Sequence, residues 1–360
     1  MIANLPVRPF LVLPLILALP VDVCAQDEDA ALLPPLFATH TPLQVTIEAP
    51  LTTLMAERPD EEYLAGTFRY ADAAGAEHAF ELKIRTRGNF RREKDSCTFA
   101  PLRLNFKKKD VAGSEFAGQD KLKLVTHCRT GDRKFEQILL REYVTYRLLS
   151  LLTSKSFGVR LLHIDYVDTE SENTLTRYGF VIEDDDAMAE RLGMRRVKAG
   201  DIKHEYLDPA QENLANLFQF MIGNTDYSLV NVVDGENCCH NSILLAASDA
   251  PPYTPVPYDF DFAGLVNAPY ASPNPRFKLM SVRQRLYRGQ CRNNELLPAT
   301  VNHFLLARPN IQSMLDSLDM LTPYTKRQIV NYLDAFFDII ESPRKVESRL
   351  AANCVDPSNE

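Results

Sequence analysis

The stretch FQFMIGNTDYSLVNVVDGENCCHNSILLAASDAPPYTPVPYDFDFAGLVN, residues 218–267, combines a helix end, two short strands and a group of acids and amides. Apolar side chains recur at helical spacing up to Ile222 and predict one buried stripe, formed by Leu214, Leu217, Phe218, Met221 and Ile222. Gly223 and Asn224 follow, and both residue types accept the positive φ that ends many helices. We therefore expect a helix to end here and a loop to begin at once.

Acids and amides occupy the loop and the strand ends that follow this helix. Asp226 lies on the predicted loop, and His240 and Asn241 stand just before the apolar run 243–245. Asp259 and Asp261 alternate with phenylalanines, so their carboxylates should share one face of an extended segment. Phosphoryl transfer needs a carboxylate that orients the attacking hydroxyl, and an amide and an acid that hold Mg²⁺ on the phosphates. The pattern is typical of that chemistry.

Composition and charge exclude some classes of protein. The chain has 360 residues, of which 45% are hydrophobic and 24% charged, as in ordinary globular proteins with one large domain or two lobes. The formal net charge is −8 at pH 7. A nucleic-acid partner is therefore not expected, because phosphate backbones bind basic surfaces.

Residues 1–25 have the pattern of a secretory signal. Arg8 supplies the positive charge, residues 10–19 form the apolar run, and Val23-Cys24-Ala25 is a small-residue cleavage site. The run is too short to span a membrane. Lipidation at Cys24 is the competing interpretation, which the preceding Asp22 and Val23 disfavour. We expect cleavage after Ala25 and a secreted or periplasmic protein without an integral membrane span; the oligomeric state is left open.

Six cysteines remain after Cys24, and an even number in an exported chain favours disulfides. Cys97 and Cys128 each lie beside a predicted strand of one sheet and form the first candidate pair. Because Cys238 and Cys239 are adjacent, we expect them to bond to different partners, with Cys291 and Cys354 as the remaining candidates. A zinc site is the alternative, which the absence of CxxC spacing disfavours.

The first half of the chain is rich in predicted strands. Apolar and polar residues alternate over residues 78–87, 102–107 and 121–124, after shorter strands that begin at Leu43. Basic residues recur on the polar side of these strands, at Lys83, Arg85, Arg87, Arg103, Lys121 and Lys123. A solvated sheet face explains any one of them. Together they predict a cationic face that would attract polyphosphate.

A strong helix is predicted over residues 135–152, and Glu142 lies within its apolar stripe. A carboxylate that faces a core usually has a cationic partner. Glu136 is a less inward alternative, and a surface pair with Arg141 or Arg147 is the simpler interpretation. A hairpin over residues 159–183 follows, then the Pro- and Arg-rich segment 268–300, which could cover a cleft, and two C-terminal helices. Strands before helices predict an α+β fold with two lobes.

The order of motifs resembles a known family. The motifs are KIRTRGN at 83–89, LRLNF at 102–106, FEQILLREY at 135–143, YGFVIED at 178–184, GNTDYS at 223–228, HN at 240–241 and PVPYDFDFAG at 255–264. Over roughly residues 75–265 this order is similar to the spore-coat CotH-type secreted kinases and, more distantly, to the atypical protein-kinase-like fold. Residues 26–42, which are acidic and then Pro-rich, are predicted to form a linker. The resemblance implies an N-terminal antiparallel sheet lobe over 43–183 and a helical C-terminal lobe over 184–360.

The resemblance also implies an activity, its cofactors and its site residues. The activity is transfer of phosphate from ATP to Ser or Thr of an exported protein, with Mg²⁺ or Mn²⁺. Asp226 would accept the proton of the substrate hydroxyl, and the metal ligands would be Asn241, Asp259 and Asp261. ATP would contact Lys83, Arg85 and Arg87, with Glu142 positioning one of these cations and Glu183 at the adenine hinge. Asn231, five residues after Asp226, competes with Asn241 as the metal-binding amide.

Two other functions explain part of the pattern. Asp259-Phe260-Asp261 is a DxD motif of the kind that holds Mn²⁺ on a nucleotide-sugar diphosphate in glycosyltransferases, but this assignment leaves Asp226 and the basic face without a role. A catalytically inactive kinase-like binding module is the non-enzyme alternative, in which Asp259 and Asp261 hold a structural Ca²⁺.

Overall fold

The computed structural model describes Met1, residues 33–233 and residues 237–356 of the chain. The predicted signal sequence, apart from Met1, and the first residues of the predicted linker lie outside the described residues. The described residues between 33 and 356 form one compact unit. Within that unit a β-barrel comes first in the sequence and a mainly helical region follows.

The barrel is a closed sheet of seven strands, named β1 (Leu43–Ala49), β2 (Leu64–Ala71), β3 (Glu77–Thr86), β4 (Leu102–Phe106), β5 (Lys121–Val125), β6 (Val159–Asp168) and β7 (Thr174–Ile182). Neighbours follow the order β1-β2-β3-β4-β5-β7-β6. All pairs are antiparallel except β1 with β6, which run parallel from Leu43 opposite Leu162 to Ala49 opposite Asp168. This pairing joins the two ends of the sheet and leaves no free edge.

The predicted two-lobed atypical protein-kinase-like fold with an open antiparallel sheet lobe is therefore wrong. The sheet is closed and mixed, because β1 pairs with β6 as well as with β2. Alternating apolar and polar residues are compatible with both architectures, since one face of each strand is buried in either case. Only the long-range pairing of β1 with β6 distinguishes them.

The alternation predicted for the strands agrees with the barrel. Its interior is filled by large apolar side chains, among them Phe68, Leu82, Ile84, Leu104, Phe106 and Leu122. Arg85, Arg103 and Lys123 alternate with these residues and lie opposite one another in β3, β4 and β5. The basic side chains of this sheet thus follow its outer face.

The helices are α1 (Leu51–Glu57), α2 (Lys134–Leu152), α3 (Asp185–Arg191), α4 (Pro209–Ile222), α5 (Leu297–Asp316), α6 (Pro323–Ile340) and α7 (Pro343–Arg349). A small antiparallel sheet of β8 (Arg195–Arg196), β9 (Ser242–Ala246) and β10 (Thr254–Pro257) accompanies them. One apolar core runs from Phe180 of β7 through Tyr143 of α2 to Phe218, Phe304 and Phe336. Helix α2 therefore lies at the junction of the barrel with the helical region.

Helix α4 ends where the sequence predicts. Asp208 caps its first turn by accepting a hydrogen bond from Gln211 N at 2.8 Å. Gly223 follows its last residue in the left-handed conformation, with φ of 66°. A Cβ atom at this position would lie 2.0 Å from the hydroxyl oxygen of Tyr332, so both backbone and packing require glycine here. The position of Gly223 at the end of α4 therefore fixes where the loop that carries Asp226 begins.

Three disulfides connect the described cysteines. The predicted pair Cys97–Cys128 is confirmed, and Cys291 bonds to Cys354. The prediction that Cys238 and Cys239 bond to different partners is wrong, because these adjacent residues bond to each other. The disulfides fit the predicted extracytoplasmic location. No helix in the described part of the chain is both long and apolar enough to cross a membrane.

Candidate functional site

The loop after α4 holds Asp226 through both of its carboxylate oxygens. His240 Nε2 lies 3.0 Å from Oδ1, and the Asn241 side-chain amide donates to Oδ2 at 3.1 Å and to the Asp226 carbonyl oxygen at 2.7 Å. The Asp226 backbone N–H donates to Asn224 Oδ1 at 2.9 Å. The Asp226 side chain is one third exposed. It is thus oriented by fixed partners and still reachable by a ligand.

The β9–β10 hairpin brings Asn241 and Asp259 to the same end of its two strands. Ser242 pairs with Pro257, and the Tyr258 backbone N–H donates to the Asn241 carbonyl oxygen at 3.0 Å. Asn241 and Asp259 both have left-handed backbone conformations, with φ of 52° and 57°. Non-glycine residues held in this conformation are strained and concentrate at functional sites. The Asp259 backbone N–H is fixed by Tyr146 of α2, whose hydroxyl oxygen accepts it at 2.9 Å.

These acids and amides line one cleft together with three cations. The cleft has a volume of about 340 Å³, and its charged and amide-bearing residues are Arg87, Asn89, Arg91, Lys123, Asp226, Asn241, Asp259 and Asp261. Arg87 follows the last residue of β3, Arg91 lies in the short turn Phe90–Arg92, and Lys123 lies on β5. The barrel thus supplies the cations, and the helical region supplies the acids.

Arg91 is the centre of a buried ion-pair network, named here the Arg91 network, with Glu142 and Asp261. Its guanidinium lies 3.2 Å from Glu142 on α2 and 3.4 Å from Asp261. Tyr270 donates its hydroxyl to Asp261 at 3.2 Å. All three charged side chains are at most 10% exposed. The network therefore ties the barrel to both α2 and the segment after β10.

Burial changes the protonation of these acids. Loss of hydration, opposed by Arg91, raises the pKa of Glu142 to about 7. Burial and the nearby negative charge of Asp259 raise the pKa of Asp261 well above its usual range. Burial raises the pKa of the Tyr270 hydroxyl in the same way. Asp261 therefore binds a proton more readily than an exposed carboxylate does, and its contacts with Arg91 and Tyr270 leave it less free than Asp259 to act as a metal ligand.

Arg87 and Lys123 lose hydration in the cleft wall. Burial lowers the pKa of Arg87, opposed by the negative charge of Asp259. Burial also lowers the pKa of Lys123, opposed by Asp185 at 2.5 Å. The Lys123 ammonium lies 5.5 Å from the ring centre of Tyr258. An anion in the cleft would replace the hydration that both cations have lost.

The structure brings together five of the predicted site residues and leaves four away from the cleft lining. Arg87, Asp226, Asn241, Asp259 and Asp261 line the cleft. Glu142 lies behind it as the partner of Arg91, rather than of Lys83, Arg85 or Arg87 as predicted.

Lys83, Arg85 and Glu183 have other surroundings. Lys83 is exposed on β3, and Arg85 lies over the Tyr63 ring and donates to the Thr86 carbonyl oxygen. Glu183 is fully buried, forms two hydrogen bonds of 2.8 Å with Arg191 and accepts one from Gly158 N. Lys83, Arg85 and Glu183 thus do not line the cleft.

Asn231, the competing amide, is exposed and is not among the residues that line the cleft. Its side-chain oxygen lies 3.3 Å from the Ser228 hydroxyl, and its carbonyl oxygen accepts from His240 N. Asn231 thus holds the loop, whereas Asn241 faces Asp226 directly.

The amino-acid sequence alone predicts no site role for Arg91, His240 or Tyr146. Arg91 was implied only indirectly, because a glutamate within the apolar stripe of a helix requires a cation. His240 precedes Asn241 in the HN motif, but nothing in the pattern showed its contact with Asp226. Tyr146 belongs to the same helical stripe as Glu142 and was indistinguishable from a core residue.

A divalent cation would find a small set of protein ligands here. The described residues contain no cluster of three or more His, Cys, Asp or Glu side chains that could hold a metal ion. Mg²⁺ does not need three such side chains, because it usually binds through one or two carboxylates, substrate phosphates and water. The Asp259 carboxylate and the side-chain oxygen of Asn241, whose amide nitrogen is directed at Asp226, fit such a site.

No protein-family model matches the chain, and no curated protein matches it either.

Glu142 should make stability depend on pH. Its pKa in the folded state, about 7, is above the usual value of 4.5, so the folded protein holds this proton more tightly than the unfolded chain does. The free energy of unfolding should therefore fall as pH rises from about 4.5 through about 7, by up to about 3 kcal/mol. Glu142→Gln should flatten this fall in urea unfolding curves measured at several pH values. A Gln variant with an unchanged pH profile would contradict this assignment.

Proposed function

We propose that the chain is a metal-dependent phosphotransferase that moves the terminal phosphate of ATP to a Ser or Thr hydroxyl of an exported protein. It is the activity that the resemblance to CotH-type kinases implies, without the kinase-like fold. The observation that carries the proposal is the single cleft in which Asp226, Asn241 and Asp259 meet Arg87, Arg91 and Lys123.

The cations would bind the phosphates. Arg87 offers a planar fork that suits phosphate oxygens. Lys123 adds a compact ammonium beside it, whose charge a phosphate would share with Asp185. Arg91 is already neutralised by Glu142 and Asp261, so its role is to hold those acids and the turn in place. Because the Arg87 and Lys123 side chains are poorly hydrated in the cleft wall, a polyphosphate would gain more from them than from exposed cations.

Asp259 and Asn241 would hold a divalent cation on the phosphates. That cation would neutralise charge on the phosphate oxygens when it is bound. The strained backbone of both residues and the hydrogen bond from Tyr258 N to Asn241 fix their separation before any ligand arrives. Preorganised ligands of this kind lose little entropy on binding.

Asp226 would orient the acceptor hydroxyl. The hydroxyl oxygen attacks the terminal phosphorus, the bond from that phosphorus to the ADP oxygen breaks, and the hydroxyl proton passes to the Asp226 carboxylate. His240 and Asn241 fix the carboxylate through hydrogen bonds to both oxygens. One third exposure of the side chain leaves room for an acceptor.

The site supports the glycosyltransferase alternative less well. A DxD motif needs carboxylates that bind Mn²⁺, but Asp261 is in contact with Arg91 and Tyr270, and its pKa is raised. That alternative also leaves the fixed Asp226 without a role. A structural Ca²⁺ site would require more oxygen ligands than Asp259 and Asn241 provide.

Ligand-induced stabilisation tests the proposal. ATP with Mg²⁺ should raise the midpoint of thermal unfolding by an amount that grows with nucleotide concentration. Asp259→Ala should abolish the Mg²⁺-dependent part, whereas Asp249→Ala, which removes an exposed acid from the other end of the β9–β10 hairpin, should leave it unchanged. Stabilisation by UDP-glucose with Mn²⁺ but not by ATP, or by Ca²⁺ alone, would overturn the proposal.

A further inference from the structure

A second cleft lies at the junction of the barrel with the helical region. It has a volume of about 580 Å³ and shares no lining residue with the candidate site. Four segments line it: the chain before β1, α2, β7 and the α5–α6 connection. The lining residues are His40, Thr41, Pro42, Arg147, Tyr178, Ser317, Leu318, Asp319 and Met320. Nothing in the proposed phosphotransferase mechanism uses them.

Arg147 of α2 is buried in the wall of this cleft without a matching acid. The residue is 7% exposed, and its one side-chain hydrogen bond within the described structure joins Nη1 to the Tyr143 hydroxyl at 3.3 Å. Its Nε atom is shielded from solvent and has no hydrogen-bond partner among the described residues. No described carboxylate lies within ion-pair distance of it.

Several other buried arginine side chains have carboxylate partners, whereas Arg147, like Arg141 and Arg177, has none among the described residues. Arg191 is paired with Glu183 by two hydrogen bonds of 2.8 Å, and Arg91 lies between two acids. Arg160 donates to the Thr39 carbonyl oxygen and lies 3.6 Å from Glu115. Burying a charge without such partners has a free-energy cost, because hydration is lost and no ion pair replaces it. An anion bound at Arg147 would remove that cost.

The other residues of the cleft define the kind of anion. Pro42, Tyr178, Leu318 and Met320 give it apolar walls. Burial, with the nearby Arg147 and Arg160, lowers the pKa of His40 to about 4, so His40 is neutral at pH 7. Asp319 adds a negative charge at the same cleft. Because Asp319 offsets part of the positive charge at this cleft, a singly charged ligand is favoured over a phosphate dianion.

We infer that this cleft binds a small molecule with one carboxylate and an apolar body, and that Arg147 anchors the carboxylate. The guanidinium fork matches the two oxygens of a carboxylate, and the apolar walls accept the rest of the ligand. The proposed carboxylate site does not depend on the phosphotransferase reaction, so either proposal can be wrong while the other is right.

Tryptophan fluorescence can report binding at this cleft. The chain contains no tryptophan, so Thr41→Trp places a single fluorophore at the cleft. Benzoate should change its emission saturably, in the millimolar range usual for ligands of this size, while the uncharged benzamide should not. Isothermal titration of the unsubstituted chain should likewise show that benzoate binds more tightly than benzamide.

Removing the anchor tests the role of Arg147. In the Thr41→Trp background, Arg147→Gln should weaken benzoate binding at least about tenfold, as expected for a lost charge-assisted pair. Arg133→Gln, which removes an exposed arginine just before α2, should leave it unchanged. If Arg147→Gln does not fold, Arg147→Lys keeps the charge without the fork and should still weaken binding several-fold. Equal responses to benzoate and benzamide, no saturable response, or unchanged affinity in both Arg147 variants would overturn the inference.

Discussion

Replacing Asp226 by asparagine should lower phosphate transfer at least about 100-fold while nucleotide binding is retained. Asparagine keeps the size of the side chain, and its oxygen can still accept from the Asn241 amide at the position now taken by Oδ2. Its amide can face His240 Nε2 in place of Oδ1. The variant therefore keeps the local structure and removes only the negative oxygen that would orient the acceptor hydroxyl and take its proton.

The measurement has two arms. Transfer is followed with ATP labelled in its terminal phosphate, as incorporation into the chain itself and into dephosphorylated casein. Binding is followed as the Mg²⁺-dependent thermal stabilisation by ATP. Asp249→Asn, an exposed acid on the β9–β10 hairpin, serves as the matched control and should keep both properties. Full transfer by Asp226→Asn would exclude a proton-accepting role, and equal loss of binding and transfer would make Asp226 a residue that only maintains the cleft.

Much of this site could be predicted because its geometry is local. Gly223 ends α4 for reasons visible in the sequence, so Asp226 had to lie on a loop directly after a packed helix. Asn241 and Asp259 flank two strands that pair with each other, and an antiparallel pair brings its outer ends together. A loop acid followed by a hairpin with polar residues at its outer ends is therefore enough to predict that these side chains lie close together.

The closure of the barrel could not be predicted in this way. It depends on β1 pairing in parallel with β6, two strands that are distant in sequence and separated by helix α2. Each strand has the same alternation whether the sheet is open or closed. The two-lobed topology was expected only from the family resemblance, and the pattern of residues is equally compatible with a closed barrel.

The assignment of cations failed for a related reason. Lys83 and Arg85 lie on one side of β3, and Arg87, directly after the strand, continues the same alternation in the sequence. The cleft reaches only the end of that strand, so Arg87 lines it while Lys83, about 13 Å away along an extended strand, does not. Arg91, which contacts both Glu142 and Asp261, lies in an irregular turn that has no periodic signal.

Arg91→Met should destabilise the fold by about 3–5 kcal/mol at pH 8, because it leaves Glu142 and Asp261 buried without their cation. Methionine keeps most of the volume, so the loss of charge rather than a cavity dominates. The penalty should be smaller at pH 5, since both acids have raised pKa values and can bind protons instead of remaining charged. Urea unfolding at the two pH values measures the difference.

Two further variants test whether the lost charge pairing causes the destabilisation. Arg92→Met removes the neighbouring arginine, whose partner Asp60 is half exposed, and should cost no more than about 1 kcal/mol at either pH. Adding Glu142→Gln and Asp261→Asn to Arg91→Met removes the uncompensated charges and should restore most of the lost stability at pH 8. Equal costs for Arg91→Met and Arg92→Met would mean that the Arg91 network contributes no more than a surface ion pair. The barrel and the helical region would then be held together by their shared apolar core, without a contribution from the charges at the cleft.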